Sequence, residues 1–144
     1  MLIGIPPLLG PELLAVLRAM GHGDEIAIVD GNYPAAEHAR RLVRADGHGL
    51  LPVIDAILSV LPLDRSVEVA VFRASQNNDP AQRGDIHDAI DALIGRKAPG
   101  MQVVALPGEA IYARIRAAHA IVATSEMSLF ANVILRKGVI GPAT

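Results

Sequence analysis

A chain of 144 residues with no cysteine, 13 basic and 15 acidic side chains and a net charge of −2 suits a single domain. These figures exclude a disulfide framework, a thiolate metal site and a thiol nucleophile, and they leave no basic field to hold a phosphate backbone, so no nucleic-acid partner is expected. Hydrophobic residues make up 51% and aromatics only 3%, which predicts an aliphatic core and more apolar side chain than one small copy can hide. A homo-oligomer is therefore expected. Charges or prolines interrupt every apolar stretch before the roughly 20 residues that cross a bilayer. The opening Met1-Leu2-Ile3-Gly4-Ile5-Pro6-Pro7 has no basic export region. The expectation is a cytoplasmic protein that does not enter a membrane.

Along the chain, Pro11-Glu12 after Gly10 starts a helix, because proline suits the first helical position and an acid favours the positive end of the dipole. Leu13, Leu14, Leu17 and Met20 recur at helical spacing, and Gly21 is placed to stop the element. Ile26 to Val29 is a short β-branched run of the buried-strand kind, ended by Asp30-Gly31. Tyr33-Pro34 is loop. Ala35 to Arg44 reads equally as a helix or an irregular segment. Leu51 to Leu61 reads as a helix, Val67 to Phe72 as a strand, and Pro80 opens a helix through Ile94 with Ile86, Ala89, Ile90 and Leu93 on one stripe. Val103 to Leu106 reads as a strand, Gly108 to Ala117 as a helix, and Ala120 to Ala123 and Phe130 to Leu135 as the last two strands. This alternation predicts an α/β fold over residues 1–144, a single-domain three-layer sandwich with a largely parallel central sheet.

In such sheets ligands gather beyond the carboxyl ends of the strands, which draws attention to Asp30. His22 sits in Gly21-His22-Gly23-Asp24, where flanking glycines leave an imidazole uncrowded. Spacing alone also accommodates a helix stop at Gly21, a solvated His22, a turn-forming Asp24 and an Asp30 that caps loop amides. His22, His38, His48, His87 and His119 show no i,i+4 pairing of the helical zinc kind, so no metal site is expected. Gly47 and Gly49 lack the remainder of a dinucleotide fingerprint. Arg40, Arg41 and Arg44 read as a solvated face, and Asp88 and Asp91 as surface charges. Ser125-Glu126 has no His or Asp support for nucleophilic catalysis.

Several segments together resemble the L-fucose mutarotase and D-ribose pyranase family. They are Met1-Leu2, Ile5 to Leu9, Pro11 to Leu14, Met20 to Glu25, Asp30, Tyr33-Pro34-Ala35 and Arg44 to Gly47. Near the far end stand Ala120-Ile121-Val122, Glu126, Ala131 to Leu135 and Lys137-Gly138-Val139. Order and approximate spacing are kept over the whole chain, and Leu2 to Asp30 resembles the fucose branch. The resemblance implies an isomerase without cofactor that interconverts the α and β anomers of L-fucose or a related monosaccharide by acid/base ring opening. It implies His22 as catalytic proton donor, with Asp30 and the triplet Phe130-Ala131-Asn132 binding the sugar. It also implies ring-shaped homo-oligomers in which neighbours complete each pocket. Gly108 falls where the family places a sugar-contacting Arg or His, and Phe130 where it usually has Tyr. These departures keep open a non-catalytic sugar-binding or transport-accessory protein of the same fold. A ribose pyranase is a further alternative.

Overall fold

The computed structural model describes residues 1–143. In chain order the elements are α1 (Pro11–Ala19), β1 (Glu25–Val29), α2 (Ala35–His38), β2 (Leu42–Ala45), α3 (Leu50–Leu58), β3 (Val71–Arg73), α4 (Asp85–Lys97), β4 (Val103–Ala105), α5 (Gly108–Ala117), β5 (Ala120–Thr124) and β6 (Val133–Arg136). The strands form one sheet in the order β2-β5-β1-β6-β3-β4. β1, β2 and β5 pair in parallel, as do β3 and β4, while β6 runs antiparallel between β1 and β3. The largely parallel sheet matches the expectation.

The pleat of β1 explains the layers. Successive side chains leave opposite faces of a strand, so Ile26 and Ile28 enter one core with residues of α1, α3 and α4. Ala27 and Val29 enter the other with Ala35 of α2 and Ile111 and Ile115 of α5. Burial of both faces is why β1 and β5 read as continuous apolar runs rather than as alternating ones. Pro11 occupies the first turn of α1 after Gly10, and Leu13 and Leu17 are its buried stripe. Among the described residues no helix is long and apolar enough to cross a membrane.

Five elements differ from the sequence expectation, and polar side chains account for most of the differences. The undecided segment after Ala35 contains a one-turn helix and then β2, which is held by pairing with β5. The strand expected from Val67 is reduced to Val71–Arg73, because the Asp64 carboxylate takes the Ser66 amide at 3.0 Å and bends the chain there. The helix expected at Pro80 starts instead at Asp85. Asp79 Oδ1 accepts the Ala81 amide at 2.9 Å and forms a turn, and His87 Nδ1 accepts the Gly84 amide at 2.9 Å as a cap. The last strand begins at Val133, since Phe130 has φ 57° and Asp30 takes the Ala131 amide. The Leu51–Leu61 helix is observed as Leu50–Leu58, where the Ser59 hydroxyl donates to the Ala56 carbonyl at 2.6 Å.

Candidate functional site

Asp30 ends β1 at the carboxyl edge of the parallel strands and is buried. Its Oδ1 accepts the Asn32 amide at 2.9 Å and its Oδ2 the Ala131 amide at 3.3 Å. Burial pushes its carboxyl above the ordinary value, and these amide donors offset part of that rise. The Asp30 amide donates to Asn132 Oδ1 at 3.1 Å. That bond orients the Asn132 side chain and leaves both hydrogens of its Nδ2 for a ligand. The antiparallel run of β6 makes this junction possible, because it brings the segment before Val133 back to the edge where β1 stops.

Phe130 has left-handed backbone, an uncommon state for an aromatic residue and one that cores must hold in place. His87 supplies the hold. Its Nδ1 is occupied by the Gly84 N–H, so the ring proton lies on Nε2 and donates to the Phe130 carbonyl at 3.0 Å. His87 is fully buried, and burial pushes its imidazole below the ordinary value. Beside it Arg73, also buried, donates to Asp91 at 2.8 and 3.1 Å and to the Ala74 carbonyl and Ser75 hydroxyl. Asp91, read from the sequence as a surface charge, is the partner of this buried guanidinium. The histidine spacing gave no signal for His87, since its partners arrive from other parts of the chain.

Asp30, Phe130 and Asn132 line a cleft of about 410 Å³ together with Tyr33, His38 and Tyr112, and Ala131 is buried directly behind it. The size is that of a small-molecule site. Gly108 does not line it. Gly108 opens α5, and a Cβ there would lie 2.9 Å from Asn78 Cγ, so the Asn78 side chain fills that place. Asn78 in turn donates to the Tyr112 hydroxyl at 3.1 Å.

His22 lies elsewhere in its own subunit. It precedes β1 while Asp30 follows it, and a strand of five residues, roughly 16 Å long, separates them. Its side chain is 49% exposed, with Nε2 3.2 Å from Asp64 Oδ1 and 3.3 Å from the Ser66 hydroxyl. Ser66 Oγ donates to Asp64 at 2.6 Å and Arg136 Nε at 2.9 Å. The Arg136 guanidinium first, then Ser66, hold the Asp64 carboxyl well below the usual range. An acceptor pair facing Nε2 places the ring proton there and leaves Nδ1 toward solvent. Neither Asp64 nor Arg136 was signalled by sequence spacing. Among the described residues no group of three or more His, Asp or Glu side chains comes together as a metal cage.

The family model described as the RbsD / FucU transport protein family matches residues 3–140. The chain belongs to this family. An L-fucose mutarotase from Glaesserella parasuis is 40% identical over 143 residues, covering 96% of each chain. A fucose mutarotase from Homo sapiens is 37% identical over 143 residues, covering 95% of this chain and 93% of that one. The crystal structure of a fucose mutarotase in complex with L-fucose from Streptococcus pneumoniae superposes with a TM-score of 0.87 at 38% identity, covering 97% of this chain and all of that one.

Proposed function

We propose that the protein is a cytoplasmic, homo-oligomeric monosaccharide mutarotase that interconverts the anomers of L-fucose or a closely related sugar. The observation that carries this reading is the hydrogen-bonded junction of Asp30 with Ala131 and Asn132 at the wall of a sugar-sized cleft. It occurs in a chain that is alike over its whole length to fucose mutarotases. Asp30 accepts from sugar hydroxyls, Asn132 Nδ2 donates to them, and Phe130 packs on the apolar face of the ring. The protonated His22 gives its Nδ1 proton to the ring oxygen as a water molecule takes the proton of the anomeric hydroxyl. The bond between the anomeric carbon and the ring oxygen then breaks. The open aldehyde rotates about its first carbon–carbon bond and recloses on either face, returning the protons. Histidine suits both directions of this transfer near neutral pH.

Because His22 and Asp30 stand at opposite ends of β1, the imidazole that serves one cleft comes from a neighbouring copy. Exposed apolar side chains flank both ends. Leu129 lines the cleft and exposed Met127 stands two residues before it in the chain, while Val139 lines a second hollow with Asp64, Arg65 and Ser66. Contact between two unlike surfaces is heterologous, and where its rotation closes it generates a ring.

Saturation-transfer NMR on anomeric protons tests the activity. Exchange above the buffer rate for L-fucose or another aldose is expected, with a loss of about 100- to 10,000-fold in His22→Ala. Absence of acceleration with every common aldose overturns the reading, and saturable binding without exchange would establish the sugar-binding alternative. Co-expression of His22→Ala with Asp30→Ala tests the shared pocket. Random mixing leaves about a quarter of pockets with both native groups, so exchange returns in the hybrid although each variant alone is inactive.

A further inference from the structure

Three segments meet at the wall of the cleft that Asn132 also lines. Tyr33 follows β1, His38 ends α2, and Arg116 stands in the last turn of α5. Arg116 Nη2 lies 3.0 Å from His38 Nε2, and His38 Nδ1 lies 2.8 Å from the Tyr33 hydroxyl. The rings of Tyr33 and His38 pack edge to face, with centroids 5.3 Å apart and planes at 79°.

The direction of this chain of bonds follows from what each group can do. A guanidinium only donates, so His38 Nε2 accepts and the ring proton lies on Nδ1. Nδ1–H then donates to the Tyr33 oxygen. The tyrosine hydrogen has no other acceptor among the described residues, and Tyr33 lines the cleft. We infer that Tyr33 is a substrate-binding residue whose hydroxyl donates to an oxygen of the bound monosaccharide, with His38 and Arg116 as positioning residues that turn its hydrogen toward the ligand. Burial pushes the Tyr33 phenol up to about 12, so the hydrogen is present throughout the working pH range. The cleft thus combines an acceptor, Asp30, with two donors, Tyr33 and Asn132. That pattern reads hydroxyl positions and discriminates against a deoxy analogue at the contacted carbon.

This inference rests on the mutarotase reading, and its test separates the two. Tyr33→Phe keeps the ring and removes the donor. Calorimetry with L-fucose should show affinity weakened about 5- to 100-fold, the range for leaving a buried sugar oxygen without its partner. Across a series of monodeoxy sugars, one member should bind Tyr33→Phe and the unaltered protein equally well. His38 variants test the relay. Asn presents an N–H near the place of Nδ1 and should keep affinity within about 3-fold, whereas Asp presents only acceptors, captures the tyrosine hydrogen and should lose about as much as Tyr33→Phe. Equal affinity of Tyr33→Phe and the unaltered protein overturns the inference and leaves the activity standing, as do equal losses in His38→Asn and His38→Asp. Failure of the unaltered protein to bind any aldose overturns both readings.

Discussion

Asp64 determines which nitrogen of His22 faces outward. With Asp64 and the Ser66 hydroxyl beside Nε2 and Arg136 fixing the carboxylate from behind, Nδ1 is the nitrogen left free, the one that the proposed mechanism turns to the sugar. Asp64→Asn can present an N–H to the imidazole and favours the wrong tautomer. We expect anomer exchange to fall by about 10- to 1,000-fold while calorimetric affinity for the sugar, set by the Asp30 cleft, stays nearly constant. A second expectation at this scale concerns His87. Its folded value lies below the ordinary 6.5, because burial opposes its charge. The unfolded chain therefore binds the extra proton first as pH falls. The stability contributed by neutral His87 is complete above the unfolded value, and it declines as pH drops from about 6.5 toward the folded one. Thermal melting of the unaltered protein should thus lose midpoint temperature between pH 7 and 5. In His87→Phe the Gly84 amide and the Phe130 carbonyl lose their partner, so the melt should be lower by about 2–4 kcal/mol at pH 7 and this slope should disappear.

Among the elements, β6 and the residues beyond it are the most constrained. Gly138 lies against the chain that carries Asp64, and an added Cβ would come 2.5 Å from the Leu63 carbonyl oxygen and 2.8 Å from Asp64 Cα. Gly138→Ala must push that backbone away. A loss of about 1–3 kcal/mol in denaturant unfolding is expected, together with reduced exchange in the protein that still folds. The elements that sequence reasoning located well are those whose apolar pattern is local, such as α1, β1, α5 and β5. Its errors lie where a carboxylate or an imidazole reaches across the chain. Asp64 bends the Val67 region, Asp79 and His87 delay α4, and Asp30 delays β6. β2 escaped notice because four residues with an arginine among them carry little pattern, and its pairing with β5 decides its state. For the site, the structure brings Asp30, Phe130, Ala131 and Asn132, which the resemblance grouped, to one junction at the cleft. Gly108, which the resemblance grouped with them, is outside the lining of that cleft, and Asn78 packs against it. The supporting groups Asp64, His87 and Arg73 depend on contacts far apart in sequence, which neither periodicity nor spacing encodes.

At the scale of the whole molecule, the apolar excess of the composition appears as exposed side chains at Met1 to Ile3, Met127, Leu129, Val139 and Ile140, some of them where copies are proposed to meet. Leu129 lines the cleft, and Met127 two residues before it is likewise exposed. Replacing both by Glu leaves each subunit's layers intact. Sedimentation should shift to smaller species, and exchange should fall toward the level of His22→Ala, because the cleft no longer receives an imidazole from outside. A protein that sediments as a monomer before any change, at micromolar concentration, would contradict the shared pocket.

The four residues of β6 connect two different pieces of chemistry. At one end the strand emerges from Phe130-Ala131-Asn132, and at the other Arg136 grips the carboxylate beside His22. If the imidazole serves the next copy, every such strand is a strut between adjacent pockets around the assembly. Sliding it by one rung would turn its side chains to the wrong faces, and the damage would not stop at the subunit that carries the error. On the proposed sharing, a single-residue deletion between 132 and 136 should disable both the cleft at the front and the acid lent to the neighbour at the back.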